Sequence, residues 1–228
     1  MPWGIIVDCS SVALGGLLGG TLGKYFPQRI CDYLSKFFGI TSIAVGINLI
    51  GQTQSLSPVI LALLLGAIIG EALKLEEHMD QLPMRFGCAK GDSIFVQKYT
   101  SVLILICFGS LGLIGAMTEG MTGDSSLLFI KAMLDFSGGA IFAASLGISV
   151  ALVALPQFVL YLLLFFGASF IMPYIDTRII ADFSACGGVI ALTAGLRIAD
   201  IKPIRIASLL PALLFVIPVS GLWHRMLG

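Results

Sequence analysis

Apolar runs follow one another along this chain with so little polar sequence between them that water cannot be the solvent for most of it. They cover roughly residues 4 to 23, 37 to 51, 57 to 74, 94 to 117, 127 to 153, 157 to 174, 184 to 199 and 204 to 223. About 20 mostly apolar residues in a helix cross a bilayer, so the pattern predicts seven or eight spans. The largest polar stretch, about 75 to 93, leaves no room for a soluble domain. Within lipid every backbone N–H and C=O must be satisfied internally, which a helix does segment by segment. The expected fold class is therefore all-α: a polytopic transmembrane helix bundle forming a single integral membrane domain over residues 1–228.

Composition agrees and excludes other classes. Of 228 residues, 57% are hydrophobic and 11% charged, against about 25% charged in soluble domains. Thirteen Lys and Arg balance thirteen Asp and Glu with no strongly cationic stretch, so no nucleic-acid partner is expected. Cys9, Cys31, Cys88, Cys107 and Cys186 are odd in number and scattered, without a C-x-x-C pair. They read as small apolar fillers, and neither a metal site nor a cofactor is indicated. His78 and His224 fall outside the apolar runs, which gives a Ser-His or Cys-His nucleophile little to build on, so an enzyme is not expected.

Topology can be read in outline. Met1-Pro2-Trp3-Gly4 lacks the basic region of a signal peptide, so the first span is expected to be retained. Lys and Arg concentrate in alternate connections, which places both termini outside when eight spans are counted. Trp3, Tyr25, Tyr33, Tyr174 and Trp223 lie at segment ends, as an interfacial belt would. Residues 26 to 36 read as a short interfacial helix, and Leu75 to Lys98 as a solvated connector. Leu34-Ser35 through Gly39, Gly46 and Asn48 aligns with Phe183-Ser184 through Gly188, Gly195 and Arg197, and Val7-Asp8-Cys9-Ser10 resembles Leu134-Asp135-Phe136-Ser137. These matches suggest an inverted repeat with candidate halves 1–93 and 124–228. The span count gives the two Asp-Ser helices the same sense, so one of these inferences must yield.

Small residues mark close packing. Ser11, Gly15, Gly19 and Gly23 form one i, i+4 row, with Gly16 and Gly20 beside it; Gly66 and Gly70 repeat the pattern before Glu71. Such rows let helix backbones approach where lipid supplies no hydrophobic drive. Polar residues inside the apolar runs are the candidates for chemistry, because a charge at the bilayer centre costs about 2.5–3.5 kcal/mol on insertion scales. On a helix beginning near Asp124, the residues Asp124, Lys131 and Asp135 share a face, and Lys131 and Asp135 are i, i+4 neighbours. Ser137-Gly138-Gly139 follows, where adjacent glycines could break the helix and free backbone groups, as in secondary transporters. The plain alternative is a salt bridge that fixes helix register. Asp8 is expected to snorkel to the outer interface, although its match to Asp135 keeps it a candidate; Asn48 is one through its place in the repeat. Arg197 is expected to anchor to headgroups or pair with Asp200, and Glu71 to pair with Lys74. Pro211 and Pro218 predict interruptions of the last helix.

Gly66-Ala-Ile-Ile-Gly-Glu71, Gly115-Ala-Met through Gly123-Asp124, Lys131-Ala-Met-Leu-Asp135, Ala144-Ser-Leu-Gly147, Ala154-Leu-Pro156, Gly187-Gly188 and Leu210-Pro-Ala-Leu213 together resemble the YqgA/YdfK-type family of bacterial inner-membrane proteins, a domain of unknown function. The resemblance covers nearly the whole chain and implies a multi-pass protein of the bacterial inner membrane, of a kind described as transporters, with no family site to carry over. Phe136-Ser137 departs from the Gly-rich sequence expected after Asp135. The expectation is a small secondary transporter or permease for a small polar solute or ion, coupled to H⁺ or Na⁺ and assembled as a homo-oligomer in the lipid bilayer. A channel-like pore on an oligomer axis, or a membrane-embedded sensor docking through Leu75 to Lys98, are the alternatives.

Overall fold

A computed structural model describes residues 1–25, 27–53, 55–85, 93–171 and 176–227. Among these the chain is predominantly helical and has no strand: α1 (Trp3–Leu22), α2 (Gln28–Ile50), α3 (Leu56–Ala72), α4 (Leu75–Arg85), α5 (Ser93–Phe108), α6 (Ser110–Thr122), α7 (Ser126–Leu146), α8 (Ala154–Ile171), α9 (Thr177–Ile198) and α10 (Ala212–Leu227). Seven stretches are long and apolar enough to cross a membrane, and an eighth arises if α3 and the first part of α4, bent by 63°, count as one. The bend falls at Leu73-Lys74, where Lys74 takes a positive φ of 51°, and beyond it Glu76 and Glu77 open an α4 that is no longer apolar. The bundle expected from the apolar runs is thus the observed fold class.

The chain divides into two compact units: Met1–Gly39 with Leu105–Met172, and Ile40–Ile104 with Pro173–Gly228. Helices α2 and α5 each contribute part of their length to both. Residues 37 to 51 do not form a short helix after an interfacial one: α2 runs unbroken from Gln28, because nothing after Pro27 interrupts helical backbone.

In the first unit α1 packs along α7 and against a 3₁₀ turn, Ile148–Val153. Each small-residue row has its own partner. Gly15, Gly19 and Gly23 meet Phe136, Ala140 and Ala144 of α7, and Gly16 and Gly20 meet Ala151 and Ile148 of the turn. A Cβ on Gly20 would lie 2.6 Å from the Ile148 Cα, and one on Gly23 the same distance from the Ala144 Cα, so only glycine permits this approach. Ser11, part-buried at the head of that row, bonds back to the Asp8 carbonyl. On the far side of α1, Leu14, Leu17, Leu18 and Leu22 are exposed, as a lipid-facing surface requires.

The interruption of the central apolar segment falls at Gly147, not at Ser137-Gly138-Gly139. Helix α7 continues through those residues to Leu146, and Gly147 at φ 80°, ψ −176° adopts a backbone essentially reserved for glycine. Gly138 and Gly139 do not break the helix because their missing side chains are filled by neighbours. A Cβ on Gly138 would stand 2.9 Å from the Phe38 ring, and one on Gly139 3.3 Å from the Val12 carbonyl oxygen.

In the second unit α3 packs on α10 and on the 3₁₀ turn Ala207–Leu209 through its own glycines. A Cβ on Gly66 would lie 2.6 Å from the Ala212 Cα, and one on Gly70 2.7 Å from the Ser208 Cα. Helix α9 meets the second half of α2 where Gly46 and Gly188 face each other, and the Ser42 hydroxyl donates to the Ala191 carbonyl at 2.9 Å. Helix α10 begins directly after Pro211 and carries Pro218 within it.

Candidate functional site

Helix α1 buries the stripe Ile5, Asp8, Val12, Gly15 and Gly19. The glycine face that draws α1 onto α7 therefore carries Asp8 inside, and it does not snorkel: Asp8 is 0% exposed. Opposite it, Lys131 of α7 projects inward and forms an ion pair with Asp135 one turn along its own helix and with Asp8 Oδ2 at 3.3 Å. Gln157, in the first turn of α8 just after Pro156, donates Nε2–H to Asp8 Oδ2 at 2.7 Å and to Asp135 Oδ2 at 3.3 Å. The Lys131 ammonium also lies 5.5 Å from the centroid of the Tyr161 ring, within cation–π range, and Tyr161 is fixed by donating to the Ile106 carbonyl. Gly112 of α6 leaves room for both: a Cβ there would fall 2.6 Å from Lys131 Cε and from Tyr161 Cζ.

This cluster has two unusual features. It holds two carboxylates and one ammonium, so with all three ionised it carries one excess negative charge in a low-dielectric interior. Among the described residues, Asp8 Oδ1 and Gln157 Oε1 are buried without any hydrogen-bond partner. Buried polar atoms are paired in all but a few cases, and exceptions call for an explanation such as an unseen ion, proton or water.

The remaining sequence candidates lie elsewhere. Asp124 precedes the first turn of α7, so helical projection does not extend to it. It is exposed and accepts from Ser126 Oγ at 2.6 Å and Ser126 N at 2.9 Å, which hold its carboxyl below the usual carboxylate range. Asn48 is exposed on α2 and accepts from Gln52. Ser137 is exposed and bonds back to the Met133 and Leu134 carbonyls, and Gly138 and Gly139 serve packing. Of the eight candidates, only Asp8, Lys131 and Asp135 converge. Gln157 and Tyr161 carry no charge and gave no signal in the sequence beyond being polar atoms in an apolar run.

The second unit holds ionic clusters of its own. Asp182 of α9 is buried and accepts from Thr53, from Ser220 Oγ at 2.6 Å and, at 3.1 Å, lies beside His224 Nε2. A sequence signal for it existed: Asp182-Phe183-Ser184 repeats Asp135-Phe136-Ser137. Arg197 is buried too. It pairs with Glu76 and donates to the Ile204 carbonyl at 3.3 Å, with Asp80 at 3.9 Å, instead of reaching headgroups or Asp200. Asp200 pairs with Lys98 at 3.1 Å. Glu71 pairs with Arg205 and not with Lys74, which lies 3.7 Å from Glu77. The turn before Ala207 brings Arg205 and the Ala207 N–H against α3 and α4, where Glu71 pairs with Arg205 and Glu76 accepts that N–H at 2.7 Å.

Cys9, Cys31, Cys107 and Cys186 are buried thiols without disulfide partners, while Cys88 and Tyr174 lie outside the described residues, as do 86–92 of the proposed docking stretch. Among the described residues no group of three or more His, Cys, Asp or Glu converges as a metal site would.

An all-helical chain with seven candidate spans and paired charges buried between small-residue helices is a polytopic membrane protein. Within that class its sequence from residue 3 to 221 matches the family described as "Protein of unknown function (DUF554)", and the chain belongs to that family. It is 40% identical to the "Uncharacterized protein YqgA" of Escherichia coli (strain K12) over 98% of both chains. It is 29% identical to the "Uncharacterized membrane protein YdfK" of Bacillus subtilis (strain 168), over 96% of this chain and 99% of that relative. No solved structure matches it.

Proposed function

We propose that the protein is a small secondary transporter of the bacterial inner membrane that moves a small polar solute or ion, coupled to a cation, and works as a homo-oligomer. The observation that carries this reading is the cluster of Asp8, Lys131, Asp135 and Gln157, which is neither charge-balanced nor fully hydrogen-bonded. A salt bridge kept only for helix register has no use for a second carboxylate or for two acceptors left without donors. An additional positive charge that binds and leaves would resolve both, and ionisable groups within spans characteristically mark such pathways. Support for an internal duplication comes from devices present in each unit: a glycine helix seated on a 3₁₀ turn, and an Asp-Phe-Ser helix carrying a buried carboxylate.

The test is flux into proteoliposomes loaded with a pH-sensitive dye and, separately, a sodium-sensitive one, while small anionic, cationic and zwitterionic metabolites are added in turn. The expected result is saturable, solute-dependent proton or sodium movement that Asp135→Asn abolishes while the helical content is retained. Normal flux in Asp135→Asn makes the ion pair structural, and unsaturable conductance makes the protein a pore.

A further inference from the structure

The two partnerless oxygens in the first unit belong to neighbouring groups that already share one hydrogen bond. Gln157 Nε2 donates to Asp8 Oδ2 at 2.7 Å, which leaves the other oxygen of each group, Asp8 Oδ1 and Gln157 Oε1, without a partner among the described residues. A carboxylic acid and a primary amide form a ring of two hydrogen bonds, N–H to the acid carbonyl and O–H to the amide carbonyl. The first of those two is present. One hydrogen on Asp8 Oδ1, directed at Gln157 Oε1, would supply the second, and it would remove the excess negative charge of the cluster.

We propose that Asp8 is an exchangeable proton site, closed by Gln157 as an acid–amide pair, and that the cation coupled to transport is H⁺. This rests on the transporter reading above and deepens it. The proton comes from water, forms the Oδ1–H bond and returns to water on release; no other bond changes. A bound alkali cation fits less well, because the Lys131 ammonium already contacts Asp8 Oδ2 at 3.3 Å and would repel it, whereas a neutral Asp8 coexists with that ammonium. Between the two carboxylates, Asp135 stays the anion. It is the closer partner of Lys131 and its side chain keeps 12% exposure, while Asp8 keeps none.

The ionisable groups around Asp8 are accounted for on each element packed against it. Helix α7 presents Lys131 and Asp135, and α8 presents Tyr161. Helix α6 presents Glu119, whose oxygens are held by the Gly4 and Ile5 N–H groups and by Ser125. The last turn of α5 has Cys107, α1 itself has Cys9, and the turn Ile148–Val153 has no ionisable side chain.

The test is infrared spectroscopy of the full chain in lipid bilayers during a pH titration, together with thermal unfolding. At neutral pH we expect a protonated-carboxyl C=O band that shifts on deuteration and disappears reversibly in alkali. It should be absent in Asp8→Asn and should move to higher frequency in Gln157→Leu, which removes the amide partner. Asparagine has the shape and hydrogen-bonding pattern of a protonated aspartate, so Asp8→Asn should unfold within about 2 °C of wild type. Absence of the band in wild type at neutral pH, or its survival in Asp8→Asn, overturns the proposal. So does a rise in the wild-type unfolding temperature in sodium chloride over choline chloride that Asp8→Asn removes. No solute is needed, so the two readings fail separately: a band without flux of any solute defeats transport alone, and coupled flux without the band defeats the proton site alone.

Discussion

Replacing Lys131 by methionine keeps the length of the side chain and deletes the positive charge that faces the Asp135 carboxylate. An ammonium and a carboxylate about 3 Å apart attract by about 5 kcal/mol at an effective dielectric constant near 20, and Asp135 is the anion that Lys131 meets in this way. Burial of the ammonium costs several kcal/mol in lost hydration, so the intact cluster contributes little net stability. Removing one partner is different, because the Asp135 carboxylate stays largely buried with nothing opposite it. That loss is about 3–5 kcal/mol, equivalent to a fall in Tm of roughly 6–20 °C for a chain of this size. The double variant Lys131→Met with Asp135→Leu removes the charge and its principal counter-charge together, leaving Asp8 on Gln157. It should recover to within about 1–2 kcal/mol of wild type, as buried pairs replaced by apolar residues commonly do. Thermal and denaturant unfolding in nanodiscs, followed by circular dichroism, measures both. A single variant within about 1 kcal/mol of wild type, or a double variant no better than the single, refutes the picture of a buried charge cluster.

Other outcomes follow from the packing. Glu119→Ala takes the acceptor from the Gly4 and Ile5 N–H groups and from Ser125, and should cost about 2–4 kcal/mol by unfolding, with faster amide exchange confined to the start of α1. Gly66→Leu forces a side chain into the Ala212 backbone and should destabilise by at least about 1–3 kcal/mol, whereas Gly51→Ala, with nothing nearer than 3.5 Å, should leave Tm unchanged. At Asp124 the hydrogen bonds from Ser126 lower the folded-state pKa from its ordinary 3.8. Its small stabilisation is therefore complete above that value and lost as pH falls through the lower folded one. Asp124→Ala should flatten the acid limb of a Tm-against-pH curve slightly and leave neutral pH untouched.

What could be read from residues alone is what depends on nearest neighbours along the chain. Runs of apolar residues dictate lipid as solvent and helix as backbone, and i, i+4 spacing puts Lys131 beside Asp135 and lines up Gly15, Gly19 and Gly23 whatever the rest of the molecule does. Partners far apart in sequence were not readable, because they depend on which helices become neighbours and how each is rotated about its axis. Asp8 reaches Lys131 across 123 positions and Gln157 across 149, and Arg197 finds Glu76 across 121 instead of Asp200 nearby. The glycines make the same point from the other side. Ser137-Gly138-Gly139 and Gly147 are equally able to interrupt a helix, yet Phe38 and α1 fill the space beside the first pair, while nothing lies within 4 Å of a Cβ on the second. Local sequence sets which conformations are affordable; contact between helices, where small residues let polar atoms meet out of reach of water, selects the one that is used.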